Sequence, residues 1–214
     1  EQIVSPLNMR DAASRSDNYL DSSRIARVVC NQKQIFAVTI DGTLLTAGDN
    51  EHNELGRSGK RSLLSRVDAL EAFRVCDIAV GSCFFILALK DGRCVSWGKN
   101  DMGQLGLGSE KGGQSQRENR DRPKLANILS DAGGVVQICA GSQHVVALAR
   151  NGSLYVWGDN RQGQLGDGQI NSCPVPKDLP QLRHRPIVSI TCGESHTLAM
   201  TVGGNVYSWG ENSQ

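Results

Sequence analysis

Asn151-Gly152-Ser153-Leu154-Tyr155-Val156-Trp157-Gly158-Asp159-Asn160-Arg161-Gln162-Gly163-Gln164-Leu165-Gly166 is one copy of a frame that recurs along the chain. A second copy runs from Asp91-Gly92 through Trp97-Gly98 to Leu105-Gly106. A looser copy holds Asp41-Gly42, Ala47-Gly48 and Leu55-Gly56, and another holds Gly203-Gly204 and Trp209-Gly210. Eleven residues before the second member of each opening pair stand Asn31, Gly81, Gly141 and Gly193. These intervals never change. The copies differ only after Leu-Gly, so Gly48, Gly98, Gly158 and Gly210 are spaced by 50, 60 and 52 residues. Fourteen of the 24 glycines fall in this register, and a period of that length marks a repeat architecture.

Within one copy the apolar runs are short. Val135 to Cys139, His144 to Ala149 and Leu154 to Trp157 are each ended by Gly or Asn. Runs of four to seven residues rich in Val, Ile and aromatics, punctuated this way, predict strands rather than helices. Asp41-Gly42, Asp91-Gly92 and Asn151-Gly152 predict tight hairpins of type I′, with positive φ at both central residues. A weaker fourth strand is expected around Arg66 to Leu70 and around Pro174 to Leu179. Such a four-stranded meander cannot cover both its faces alone, so neighbouring copies must stack on it. Radial stacking of four-stranded sheets is a β-propeller. A period above fifty, and Gly rather than Asp after Trp, argue against the forty-residue Trp-Asp repeat.

Composition narrows the function. The 214 residues carry a net charge of +1, from 23 Lys and Arg against 22 Asp and Glu, which gives no electrostatic case for nucleic acid or an anionic membrane. The longest apolar run, Cys83 to Leu89, is too short to span a bilayer, so membrane insertion is not expected. Residues 1–10 lack the basic and apolar stretches of an export signal. The seven cysteines, an odd number without C-x-x-C spacing, read as reduced structural thiols of a cytoplasmic or nuclear protein. No nucleophile elbow, metal-ligand cluster or in-register carboxylate pair is present, so the chain is expected to be no enzyme and to need no cofactor, metal or small-molecule substrate.

The motif G-x-x-x-x-W-G-x-N-x-x-G-Q-L-G, at Gly92–Gly106 and Gly152–Gly166, resembles the RCC1 (regulator of chromosome condensation) repeat family. Cys139-Ala140-Gly141-Ser142-Gln143-His144 and Cys192-Gly193-Glu194-Ser195-His196-Thr197 carry the same resemblance, which covers about residues 25–214. It implies an all-β, RCC1-like propeller, with about four four-stranded blades of an expected seven. Copies are expected at about 25–73, 74–132, 133–183 and 184–214, the last truncated, which reads as part of a longer propeller. Residues 1–24 would be an irregular segment or the end of a preceding repeat: Ser5-Pro6-Leu7 resembles a loop after Leu-Gly, and Asn8 to Arg24 match no copy.

Trp97, Trp157 and Trp209, Leu55, Leu105 and Leu165, and Gly98, Gly158 and Gly210 are expected to hold blades together. His144 and His196 share one register position, where Gln34 and Phe84 also stand. They therefore read as structural, bonding neighbouring loops. His52 and His184 carry no pattern. The stretch Lys111 to Lys124, with five cations and two anions, reads as a solvated connection. The family member that exchanges nucleotide on the small GTPase Ran presents loop side chains at one end of its propeller. That resemblance marks Gln32, Lys33, Ser82, Cys83, Ser142, Gln143, Glu194 and Ser195 as the partner-contacting residues. Only Glu194 among them is acidic, where the exchange factor uses Asp, and no hairpin is inserted between Trp-Gly and Leu-Gly. The implied function is a protein-interaction module whose partner is a small GTPase or a domain of the same longer chain, with nucleotide exchange as the alternative.

Overall fold

A computed structural model describes residues 24–51, 53–108, 120–126, 129 and 132–212. Four antiparallel sheets follow one another along the chain. The first holds β1 (Ile25–Cys30), β2 (Gln34–Thr39), β3 (Leu44–Gly48) and β4 (Ser65–Arg66). The second holds β5 (Val75–Val80), β6 (Phe84–Leu89), β7 (Cys94–Gly98) and β8 (Arg120–Ala126). The third holds β9 (Val135–Ala140), β10 (His144–Ala149), β11 (Leu154–Gly158) and β12 (Cys173–Asp178). The fourth has three strands among the described residues, β13 (Ile187–Cys192), β14 (His196–Thr201) and β15 (Val206–Gly210). Strand order equals chain order in every sheet, so each is a simple meander, and β1, β5, β9 and β13 lie side by side at the inner edge. This is the blade arrangement of a β-propeller. The segment 1–23 and residues 111–119, for which an irregular start and a solvated connection are expected, fall outside the described residues.

The blades are joined by a contact that uses three repeated residues at once. The indole Nε1–H of Trp157 donates to the Gln104 carbonyl, 3.0 Å away in the preceding blade. Trp97 donates likewise to Glu54 at 2.8 Å and Trp209 to Gln164 at 2.9 Å. Each acceptor immediately precedes the Leu of a Leu-Gly pair. Leu55, Leu105 and Leu165 are completely buried, with their N–H groups held by Asn50, Asn100 and Asn160. Gly106, at φ +66°, lies under the ring: a Cβ there would stand 2.8 Å from the Trp157 nitrogen. Phe85 stacks on Trp97 at 5.3 Å and meets Phe36 of the first blade at 4.8 Å, which fills the first junction. The central strands β6 and β10, covered on both faces, are buried along their whole length, which explains the apolar runs Phe84–Leu89 and Val145–Ala149.

A second latch runs along the inner edge. Every first strand carries a bulge one residue before a polar side chain, Arg27, Asp77, Gln137 or Ser189, and a bulge re-aims the side chain beside it. Asp77 accepts from its own blade's Ile78 N–H at 2.8 Å and from Ile138 N–H of the next blade at 2.9 Å, and it pairs with Arg27 of the blade before. Gln137 grips the main chain of Ile190 in the fourth blade through both amide atoms, at 3.1 and 3.2 Å. Burial pushes the Asp77 carboxyl up, against the pull of the Ile138 N–H, Arg27 and the Ile78 N–H.

Three expectations change. The hairpins are not type I′: Gly42, Gly92 and Gly152 take φ of +88°, +90° and +83°, while the preceding Asp41, Asp91 and Asn151 are not in the positive-φ region. The Gly42 N–H bonds to Thr39 O and the Thr39 N–H to Thr43 O, a three-residue loop in which only the last position is left-handed. The acidic or amide side chain then accepts from the backbone two residues on, as Asp91 does from Arg93 at 3.0 Å. The fourth strand of the first blade is only Ser65–Arg66, followed by a 3-10 turn at Asp68–Leu70. There the Arg57 guanidinium takes the Thr46 carbonyl at 2.6 Å and the Leu63 carbonyl at 2.9 Å, standing where a longer ladder would run. Finally, the charged Arg120–Lys124 segment belongs to β8 and is no loop. An outermost strand needs few apolar residues and tolerates Pro123.

Trp157→Ala is expected to cost about 3–5 kcal/mol of stability, and Trp157→Phe, which strands the Gln104 carbonyl, about 1–3 kcal/mol. Gly106→Ala forces a Cβ against the ring in a left-handed conformation and is expected to cost at least ~1 kcal/mol. Guanidinium unfolding of the three variants measures these losses, and values near zero would remove the junction described above.

Candidate partner-binding face

The turns between first and second strands all emerge at one end of the sheets, together with the chain that follows each Trp-Gly. Each turn is clamped twice. Its first N–H bonds to the carbonyl three residues on, as Gly141 does to His144 at 2.9 Å. Its last carbonyl accepts from the residue after the closing glycine: Lys33 from Asp49 at 3.0 Å, Cys83 from Lys99 at 2.8 Å, Gln143 from Asp159 at 2.9 Å and Ser195 from Glu211 at 2.9 Å. Gly81, Gly141 and Gly193 leave space for the ring of Phe84, His144 or His196, into which a Cβ would project. The first blade solves the same problem differently, since Asn31 Oδ1 accepts from the Lys33 and Gln34 N–H groups at 2.9 and 2.8 Å.

These turns bond to one another across blades. Ser82 N–H donates to the Ser142 carbonyl at 3.2 Å, and Ser142 N–H to the Glu194 carbonyl at 2.8 Å. The Ser82 and Ser142 hydroxyls are 2.8 Å apart. Gln32, Lys33, Ser82, Cys83 and Glu194 are exposed, and Ser142, Gln143 and Ser195 half-buried. Gln32, Lys33, Ser82, Cys83, Ser142 and Glu194 line one cavity of about 700 Å³, joined by Glu51 and Glu54. Gln143 and Ser195 line an adjoining depression of about 340 Å³, which shares Ser142 and Glu194 with the first. All eight predicted residues thus border two connected hollows at one end of the molecule.

The floor of the smaller hollow is an ion pair. Arg161 contacts both oxygens of Asp159, at 2.9 and 3.0 Å, and extends Nη2 to Gln143 Oε1 at 3.2 Å. Burial pushes the Asp159 carboxyl up, but the Arg161 guanidinium and N–H and the Ser172 hydroxyl outweigh it and hold the group below its ordinary value.

Among the residues expected to be structural, His144 is fully buried and its Nε2 lies 3.0 Å from Thr197 Oγ1 of the next blade. Thr197 spends its one hydroxyl proton on the Gln164 carbonyl at 3.0 Å, so it must accept from His144, which fixes the Nε2–H tautomer. Nδ1 then has no hydrogen-bond partner among the described residues. His196 and His184 are exposed, and His52 falls outside the described residues. Trp97 and Trp157 are fully buried and Trp209 half-buried. Of the cysteines only Cys94 is buried outright; Cys30 and Cys76 are exposed on β1 and β5, and Cys83 is exposed in the turn between β5 and β6. The Asp77 and Gln137 latches escaped the sequence reading. Their signal was a polar residue recurring four positions before the strand-ending glycine. Among the described residues no three His, Cys, Asp or Glu side chains converge as a metal site, and no helix is long and apolar enough to cross a membrane.

The model of the regulator of chromosome condensation (RCC1) repeat matches residues 91–148 and 151–200, and a second RCC1-repeat model matches 75–104, 135–164 and 187–214. The chain belongs to the RCC1 repeat family. The longer matches start at a hairpin and end in the second strand of the next blade, so each sequence unit straddles two blades. Human HERC2, an E3 ubiquitin-protein ligase, is 32% identical over 184 residues, 84% of this chain but 4% of that protein. The Arabidopsis ultraviolet-B receptor UVR8 is 30% identical over 196 residues, 90% of this chain and 42% of that one. What is shared with the ligase is this chain's repeat region. Among solved structures, human WBSCR16 superposes with a TM-score of 0.72 at 22% identity, over 89% of this chain and 48% of that one. Yeast RCC1 (Prp20), in a structure bound to Kap60, gives 0.68 at 24% identity, over 88% and 44%. A second Prp20 structure was described with its binding to Gsp1p and histones. At these identities the likeness is one of fold, and the chain spans less than half of each of these relatives.

Because the Asp159 pKa is lowered on folding, its contribution to stability is complete above its ordinary value of 3.8 and disappears as pH falls through the lower folded value. Asp159→Asn is therefore expected to flatten the acid limb of stability below about pH 4 relative to the parent chain. Urea unfolding midpoints across pH 2–6 check this, and an unchanged acid limb would contradict it.

Proposed function

We propose that this chain is a non-catalytic protein-interaction module whose axial loop face, bordered by Gln32, Lys33, Ser82, Cys83, Ser142, Gln143, Glu194 and Ser195, receives a protein partner. The observation that carries this reading is the continuity of the face. Turns from four blades meet around two connected hollows, with their main chains bonded across the second, third and fourth blades. A rigid sheet below and exposed, chemically varied side chains above is how loop faces recognise partners. The protein ligands named for yeast RCC1 support a protein as the class of partner. The partner is a small GTPase or a domain of the longer chain to which these repeats belong. The face carries Lys33 together with Glu51, Glu54 and Glu194, so it suits a surface of mixed charge better than a polyanion.

The acidic groups favour a second reading, guanine-nucleotide exchange on a Ran-like GTPase, in which the face distorts the nucleotide site without covalent chemistry. A photo-crosslinking residue at Gln32, Ser82 or Glu194, expressed in cells, is expected to trap protein adducts. The same residue at Val202, in the hairpin at the opposite end, should trap none. Adducts from Val202 alone would overturn the placement of the face. Glu194→Lys is expected to weaken binding of the trapped partner at least about tenfold. Release of a fluorescent guanine nucleotide from a Ran-like GTPase tests the second reading, and no acceleration at micromolar chain would remove it while leaving the first.

A further inference from the structure

Cys139 is the penultimate residue of β9, two before Gly141, and Cys192 ends β13, one before Gly193 in the next blade, so the two are 53 residues apart and offset by one in register. Their sulfurs are 2.8 Å apart, about 0.8 Å longer than the roughly 2.0 Å of a formed S–S bond. Both residues are half-buried, and Cys192 borders the larger hollow, through which a small solute reaches it. We infer that Cys139 and Cys192 are a peroxide-oxidisable dithiol whose disulfide fastens the third blade to the fourth beneath the axial face. This goes beyond the interaction-module reading and does not depend on it.

The surroundings supply the chemistry. The pair shares protons unequally: the hydrogen bond from Cys139 pulls the Cys192 thiol down, outweighing the effect of burial, and Cys139 is pushed up in turn. Cys192 is therefore the sulfur that reacts first, since the thiolate is the nucleophile. It attacks one oxygen of hydrogen peroxide; the O–O bond breaks, hydroxide leaves and Cys192 becomes a sulfenic acid. The Cys139 sulfur then attacks the Cys192 sulfur, the S–S bond forms, the S–O bond breaks, and the departing hydroxide takes the Cys139 proton as water. Two electrons leave the sulfurs, and one peroxide becomes two waters. Cys30, Cys76 and Cys83 are more exposed, but among the described residues none of them bonds to another thiol, whereas Cys139 and Cys192 start almost in contact. The bond would tie together the strands that carry Ser142 and Gln143 on one side and Glu194 and Ser195 on the other.

Trypsin places each residue in its own peptide, Cys139 in 125–150 and Cys192 in 184–214, each with a single cysteine. The 214-residue chain is treated with hydrogen peroxide, alkylated, digested and read by mass spectrometry, in native buffer and in guanidinium. The expected result is a linked 125–150/184–214 pair, 2 Da lighter than the sum of the two free peptides. It should form at least tenfold faster in native buffer and as the dominant disulfide. In Cys139→Ser, Cys192 is expected to accumulate as a sulfenic acid trapped by dimedone, whereas in Cys192→Ser, Cys139 should stay unmodified. Equal rates in guanidinium, a dominant disulfide elsewhere, or retention of Zn(II) by the pair in place of oxidation would each overturn the inference.

Discussion

An indole N–H given by one blade to the carbonyl ahead of the Leu-Gly of the blade before it is the contact on which this structure depends. It occurs three times, at Trp97, Trp157 and Trp209, and each time the glycine after the leucine lies under the ring. A hydrogen bond fixes direction and a ring face fixes distance. Together they set how one sheet sits on the next. The inner-edge grips of Asp77 and Gln137 repeat the constraint at the axis, so each junction is pinned at both ends of the sheet. Because the turns of the axial face are clamped to the chain just after each Trp-Gly, the same constraint places the residues of the face.

Much of this was legible because it rests on residues that cannot be exchanged. A position that is left-handed or lies under a ring admits only glycine without strain, so Gly106, Gly166 and the hairpin glycines wrote the period into the sequence. The family, the all-β propeller fold and the buried Trp and Leu positions follow from that period. The type of hairpin turn was not legible, because Asp-Gly suits a two-residue loop and a three-residue loop equally, and the strand twist and backbone closure decide between them. The charged Arg120–Lys124 segment misled for a related reason. An outer strand is stabilised by its ladder and not by burial, so its side chains carry no apolar signal.

The candidate face was legible as a location and not as chemistry. Register alone put Gln32, Ser82, Ser142 and Glu194 at one end of the blades. The register could not show that Ser82, Ser142 and Glu194 bond across blades through their main chains, since those bonds depend on no particular side chain. Cross-blade neighbours such as Cys139 and Cys192 become visible only when the blades are stacked, since the two are offset by one residue in the register. The scaffold therefore dictates where groups stand, while the residues on the turns vary from Lys33 to Cys83 to Glu194 and decide what is recognised.

Exchange of the tryptophan Nε1 protons with deuterium, followed by NMR, tests the central contact most directly. The Trp97 and Trp157 protons, buried and donated across a junction, are predicted to exchange only through unfolding, and the half-buried Trp209 proton faster than either. Exchange of the Trp157 proton at the rate of a free indole under native conditions would contradict the account.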